Sequence, residues 1–375
     1  MLTFDQLNVL PETITEVYEN YLQSVINDIA RRIAKMGEVT PLSAWQMQRL
    51  TESGGVYEEA LRQLSQITGK SEAELREAMK WAGVKSMEFD DGIYKAAGLS
   101  PIPLKLSPAM QQVLLAGLAK TNATLKNLTL TTALSAQASF IQESDLAYMQ
   151  VSSGAMSYDQ AIRSAIKRVA DSGLTTIDYK SGHRDQLDVA VRRAVLTGVS
   201  QTVGVIQIQR AEEMGVDLVQ TSAHAGARNK GVGPQNHESW QGKVFSRSGR
   251  SKKYPPFVET TGYGTGEGLM GWNCRHSFFP YFEGISENAY NEAERKSLAK
   301  KTVDYGGEKI SMYDATQVQR YIERNIRRWK RQAQALAAAG LENSKEMSLV
   351  KSWQARMRDF INQTKLTRQS IREQI

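Results

Sequence analysis

The chain has 375 residues, 41% hydrophobic and 23% charged, with a net charge of +7. At about 150 residues per domain this is more than one typical core holds, and the balance excludes a disordered or collagen-like chain. No stretch of about 18 apolar residues is expected to cross a membrane, the N-terminus lacks the basic and apolar regions of a signal peptide, and a lone cysteine, Cys274, excludes an intrachain disulfide and fits a reducing compartment.

Pro11 suits the first turn of a helix. Ile14, Val17, Tyr18, Tyr21, Leu22, Val25, Ile26, Ile29 and Ile33 then form one apolar stripe at the helical period, which Gly37 can end. Ser71-Glu-Ala-Glu74 is a capping box that predicts a new helix carrying Leu75 and Met79, with Gly83 as its stop. Three prolines between Leu99 and Pro108 predict an extended linker. A further helix starts at Ser107-Pro108 and buries Met110, Val113, Leu114, Leu118 and Leu125. The second capping box, Ser157-Tyr-Asp-Gln160, precedes Ile162, Ile166 and Val169, with Gly173 as the C-cap. Gln186 to Gly215 keeps helical spacing despite many valines and the internal Gly198 and Gly204.

The pattern changes at Val216. Glycines, aromatics and short β-type runs replace long helices, with strands expected at Val216–Thr221 and Lys243–Ser246. The run Gly262-Tyr-Gly-Thr-Gly-Glu-Gly268 lacks the third glycine of a dinucleotide fingerprint and is expected to be a flexible loop. After Asp314, Val318, Ile322, Ile326 and Trp329 share one helix face, and another helix is expected over Ser348–Ile371. No period repeats, so a solenoid is excluded. These readings predict an α+β fold, predominantly α-helical. It has a helical region over 1–98, a second over 99–215, a small α+β His/Cys module over 216–314, and basic C-terminal helices over 315–375.

Charge is concentrated. Residues 315–375 carry thirteen Lys and Arg against five Asp and Glu, a net +8, and residues 225–254 carry seven against one, a net +6. The remainder of the +7 chain therefore carries −7. Arg320, Arg324, Arg327, Arg328, Lys330 and Arg331 on one helix are candidates for contact with DNA or an acidic partner, or else form a solvated helix face.

Three of the four histidines and the cysteine fall in the small module: His224, His237, Cys274 and His276. Three imidazoles and a thiolate make an acceptable tetrahedral zinc set. A metal would support a module with little core of its own. The gaps of twelve, thirty-six and one intervening residues match no standard zinc finger. Ordinary hydrogen bonding in a folded loop module is the competing reading. Cys274 as a nucleophile beside Arg275 and the histidines needs a lowered pKa, and its flanks match no protease signature. No compact acidic cluster accompanies the histidines, which counts against a two-metal site. Trp240 reads as core, and Arg228 as an ion-pair donor or a phosphate ligand.

Taken in order, these residues form four blocks: His224-Ala-Gly-Ala-Arg228, His237-Glu-Ser-Trp-Gln-Gly-Lys-Val-Phe245, Gly268-Leu-Met-Gly-Trp-Asn-Cys-Arg-His276 and Pro280-Tyr-Phe-Glu-Gly284. The series resembles the phage minor capsid protein 2 family and, more loosely, the phage Mu F-like head morphogenesis proteins. His276 stands where the latter often carry a second cysteine. The resemblance covers about Ser222 to Arg331, including the Gln319–Arg328 helix. It marks His224, Arg228, His237, Trp240, Asn273, Cys274, Arg275 and His276 as motif residues and makes 216–314 a Mu F-like module. It implies a minor structural protein of a tailed phage, present in few copies, associated with the portal and incorporated during procapsid assembly. The implied partners are the portal protein, other capsid proteins and double-stranded DNA. The implied location is the capsid interior or portal region of the virion, after assembly in the host cytoplasm. The alternative is a metal-dependent nuclease or transferase housed in the His/Cys module.

Overall fold

The computed structural model describes residues 1–36, 42–172, 174–177 and 184–375. The elements are α1 (Phe4–Val9), α2 (Glu12–Ala34), α3 (Leu42–Ala96), α4 (Pro108–Ser152), α5 (Tyr158–Ser172), β1 (Thr175–Ile177), β2 (Arg184–Gln186) and α6 (Leu187–Glu213). Then come β3 (Leu218–Thr221), α7 (His237–Trp240), β4 (Val244–Ser246), α8 (Phe257–Thr261), β5 (Phe278–Pro280), α9 (Glu292–Lys300), β6 (Thr302–Tyr305), β7 (Glu308–Ser311), α10 (Met312–Ala338) and α11 (Ser344–Thr364). Helices dominate, as expected. The sheets are small and antiparallel: β1-β2, β4-β3-β5 and β6-β7.

The chain gathers into two compact units, each assembled from three stretches. The first comprises Met1–Pro11, Ala73–Ala123 and Arg193–Val318; the second comprises Glu12–Glu72, Thr124–Arg192 and Gln319–Ile375. The four segments read from the sequence are contiguous, whereas the units are built across them.

In the second unit, all nine apolar positions of the α2 stripe are buried, and Ile162, Ile166 and Val169 of α5 are buried with them. The Ser157/Gln160 capping box forms in both directions. The first capping box does not start a helix. Ser71 lies inside the 55-residue α3, where its hydroxyl donates to the Thr68 carbonyl and accepts from Tyr18. A mid-helix serine with a local backbone partner and a tertiary donor no longer competes for a cap. Gly37 and Gly173 lie outside the described residues.

In the first unit, Gly83 also lies within α3 rather than ending it. A Cβ there would sit 3.4 Å from both Leu104 and Leu114, so the glycine marks close packing. The proline-rich linker is present and holds only a 3-10 turn at Leu104–Leu106. α4 and α6 meet through a reciprocal notch. A Cβ on Gly117 would lie 2.1 Å from Thr202 Oγ1, and a Cβ on Gly198 would lie 2.2 Å from Thr121 Oγ1. Thr121 and Thr202 donate to the Gly117 and Gly198 carbonyls, so each hydroxyl is satisfied within its own helix. The internal glycines of α6 are thus contact points. Gly204 is a third: a Cβ there would meet Met270 Sδ at 2.5 Å and Tyr263. α6 is long and apolar enough to cross a membrane, which amends the sequence expectation, but 56% of that stretch is buried inside the protein, as in a core helix.

α6 also carries the module. Gln207 Nε2 donates to Asp90 and to the Phe278 carbonyl of β5 at 2.6 Å. The fully buried Arg210 donates to the Ile102 carbonyl and faces Asp91. The sheet β4-β3-β5 covers a core of Val219, Trp240, Phe245, Phe257, Leu269 and Phe278. The sequence reading missed α1, whose Thr3/Gln6 capping box is complete. It also missed the β6-β7 hairpin, whose Gly306-Gly307 turn has both φ angles positive. The last expected helix is shorter: α11 ends at Thr364, and a separate 3-10 turn covers Ser370–Glu373.

Gly117→Ala should destabilise the chain by about 1–3 kcal/mol through overpacking. Adding Thr202→Ala, which clears the nearest atoms, should recover part of that loss in urea melts. Additive losses would show that the two residues do not meet.

Candidate functional site

The β4-β3-β5 sheet brings the motif blocks to one end. Ser222, just past β3, pairs with Ser277, just before β5. This sets His224 beside Cys274 and His276. The Gly271 carbonyl accepts the Cys274 N–H and turns the chain there. Two non-glycine residues in this turn, Met270 and Asn273, take positive φ angles of 59° and 56°, a conformation found mostly where surrounding structure enforces it. His237 opens the short α7 and meets the cluster from the opposite side.

The glycine run is a packed structure rather than the expected flexible loop. Leu269 N donates to the Thr261 carbonyl, Gly271 N to Gly268, and Trp272 N to Gly266. A Cβ on Gly268 would lie 2.2 Å from the Gly262 carbonyl oxygen, and one on Gly271 would lie 2.3 Å from that of Gly266. Only glycine permits this close approach of backbone to backbone. The loop thereby aims the Glu267 carbonyl at His237.

Three of the four expected donors come together, and the ring of the fourth, His224, stacks against them. One ligand atom each from His237, Cys274 and His276 lies within 4.8 Å of the others, and all three residues are buried. The His224 ring stacks on His276 with centroids 4.3 Å apart. Phe4 of α1 lies against His224 from the other side, and Trp240 meets both His237 and His276. Trp240 is fully buried and its Nε1 donates to the Pro234 carbonyl, which is the core role expected of it.

Each histidine has one nitrogen committed. His224 Nδ1 contacts the Ala225 carbonyl at 3.0 Å, His237 Nε2 the Glu267 carbonyl at 2.8 Å, and His276 Nε2 the Gln241 Oε1 at 3.1 Å. Gln241 Oε1 also accepts the His224 backbone N–H, which identifies it as the amide oxygen. Burial pushes His224 and His237 down to about 4, and pushes His276 well below its ordinary value, with the neighbouring imidazoles adding to the effect. All three rings are neutral near pH 7. Burial likewise raises the Cys274 thiol, so the sulfur is a poor nucleophile as it stands.

The motif arginines brace this region. Arg228 Nη2 donates to the Trp272 carbonyl at 3.2 Å. Arg275 Nε donates to Asn8 Oδ1 of α1 and its Nη1 to the Asn273 carbonyl. Ser277 Oγ donates to the Leu2 carbonyl. The N-terminal segment is therefore part of the site, and the sequence reading did not include it. The Thr3-Phe-Asp-Gln6 capping box was the available signal.

The six basic candidates of α10 have divergent positions. Arg327 and Arg331 are buried and both meet Asp188, at 3.1 and 3.3 Å. Asp188 stays below the ordinary carboxyl value, because these two guanidinium groups outweigh its burial. Arg328 pairs with Asp171, and Lys330 donates to Gln374. Arg320 is half-buried, and Arg324 is exposed at an open groove of about 600 Å³ shared with Asp171 and Asp185. Arg327 and Arg331 are thus interior groups, closed to DNA or to an acidic partner in this fold. Glu12 completes the interior, accepting from Arg192 and Arg372.

Comparison by sequence places this chain among bacteriophage structural proteins. The chain belongs to the phage minor capsid protein 2 family, whose profile matches residues 2–362. A structural protein of Lactococcus phage LL-H is 27% identical over 349 residues, covering 88% of each chain. A structural protein of Lactococcus phage mv4 is 33% identical over 126 residues, which is 33% of this chain and 93% of that protein. No solved structure matches.

Two tests follow from this geometry. Iodoacetamide should label Cys274 slowly in the native chain and fully in denaturant, read by mass spectrometry; fast native labelling would show an open thiol. The second concerns Glu19, which burial, reinforced by Asp188, pushes up to about 7. Folding then takes up a proton between the ordinary value of 4.5 and about 7, so stability falls as pH rises through that window. Glu19→Gln should therefore lose this pH dependence, its stability relative to the parent rising as pH goes from acid through neutrality. Urea melts on both sides of neutrality measure it.

Proposed function

We propose that this chain is a non-enzymatic minor component of the phage head, seated at the portal and incorporated during procapsid assembly, before DNA is packaged. The observation that carries this reading is the extent of the family match. It runs from residue 2 to residue 362, through the helical regions, the module and the basic helices alike. The His/Cys module is therefore part of one structural chain. Its chemistry supports the same reading: burial raises the Cys274 thiol, Phe4 and Trp240 pack against the imidazoles, and among the described residues no carboxylate side chain joins the ligand cluster. The portal protein and other capsid proteins are its partners, in the capsid interior or portal region of the virion.

Quantifying the chain in purified virions and in DNA-free procapsids tests this. A few copies per particle in both is the expected result. Absence from both, with the chain free in infected cells, would overturn it.

Contact with packaged or entering DNA belongs to the same proposal, with a different set of side chains from the α10 arginines. Lys351 and Arg358 of α11, and Lys365 at its C-cap, recur every seven residues and are exposed. Each phosphate contact steepens the dependence of log affinity on log salt by about one. Replacing these three with Ala should reduce that slope by up to about three; a flat salt response in the parent protein would remove DNA from the partners.

A further inference from the structure

We infer that His237, Cys274 and His276 bind a zinc ion through His237 Nδ1, Cys274 Sγ and His276 Nδ1, with His224 Nε2 closing a four-coordinate structural site. A neutral imidazole has one N–H and one lone pair. The oxygens of Ala225, Glu267 and Gln241 can only accept from the nitrogens they meet. All three tautomers are therefore fixed, and the three remaining nitrogens are lone-pair nitrogens. His224 Nε2 is sealed from water with no hydrogen-bond partner. His276 Nδ1 lies 3.7 Å from Cys274 Sγ. The four groups thus present three lone pairs and a sulfur against a single S–H proton. A buried cluster with this surplus of acceptors is completed by a cation.

The donor set selects the cation. Imidazole nitrogen and thiolate sulfur suit zinc, whereas calcium and magnesium take oxygen. With metal–nitrogen and metal–sulfur distances near 2.0 and 2.3 Å, neighbouring donors in a tetrahedron stand about 3.5 Å apart. The Cys274–His276 edge, at 3.7 Å, is close to that length, and the other edges among His237, Cys274 and His276, up to 4.8 Å, need only a small contraction of side chains, with His224 approaching from the ring stacked on His276. Metal-bound histidines characteristically donate their other N–H to a carbonyl or carboxylate oxygen, and all three do so here. The His276 backbone N–H points at the sulfur from 3.4 Å, as a thiolate requires. On binding, the thiol proton leaves to solvent and the sulfur–metal bond forms, so binding releases one proton. The ion would tie β3, α7 and the turn before β5 together in a module of short elements.

The full-length chain, expressed in zinc-supplemented medium and dialysed against metal-free buffer, is assayed by plasma mass spectrometry. One zinc per chain is expected, with a lower melting temperature after chelation. Cobalt added to the stripped chain should give a thiolate charge-transfer band and the intense visible absorption of a four-coordinate site. Cys274→Ser should abolish the charge-transfer band. If that variant fails to fold, Gln241→Leu, which removes only the acceptor of His276, should weaken cobalt affinity by about 10–100-fold, while Gln241→Glu retains it. Absence of both zinc and the cobalt bands in the parent chain would overturn the assignment. So would zinc content unchanged by Cys274→Ser and by His237→Ala, because the ion would then be held elsewhere. These readouts are independent of the capsid reading, which particle abundance decides.

Discussion

Three imidazoles and a thiol removed from water must find partners within the protein, and much of the first unit is arranged around that demand. A buried polar group without a partner costs about 1–3 kcal/mol, so each oxygen that meets a ring nitrogen needs its own scaffold. The Glu267 carbonyl is delivered by a loop tight enough to exclude side chains at Gly268 and Gly271. Gln241 bonds both His276 and the His224 backbone from the residue after α7. Phe4 closes the top, held there by α1 through Asn8 and Arg275. The sheet beneath rests on α6 through Gln207 and the Gly204 contact. The glycines, the capped N-terminal helix and the strained turn at Met270 and Asn273 are thus parts of one arrangement.

The second unit answers a related demand with charge. Glu12, Glu19, Asp188, Arg192, Arg327, Arg331 and Arg372 are placed in or near its interior. Buried ion pairs add little net stability over apolar packing, but removing one partner leaves a costly unpaired charge. Such a network fixes which helix faces meet. It ties α10 to the start of α6 and to the C-terminal turn. Part of the chain's positive excess is therefore structural rather than available to a polyanion.

The sequence was informative wherever a local rule acted alone. The α2 stripe is legible because burial on one helix face imposes the 3.6-residue period, and every stripe residue is buried. The Ser157/Gln160 box and Pro108 start helices because backbone N–H groups at a helix start need partners in any context. The motif order identified the family because the blocks recur as a series, whatever their geometry. Ser71 and Gly83 misled because the same residue types serve two purposes. Serine in a helix can bond its own backbone and a distant tyrosine, and glycine can admit a neighbouring leucine, so neither breaks α3.

The helical fold class and the family were legible from the chain alone. Each depends on residue type and spacing along the chain. Only the tertiary structure decided which nitrogen of each histidine stays available, that Phe4 and Asn8 belong to the site, that the glycine run is packed, and that Arg327 and Arg331 face inward. Those outcomes depend on contacts between residues far apart in sequence, such as Asn8 with Arg275 or Asp188 with Arg331. Charge along a helix states how many arginines it carries. Whether a given guanidinium meets water or a buried carboxylate is set by the partner on another element.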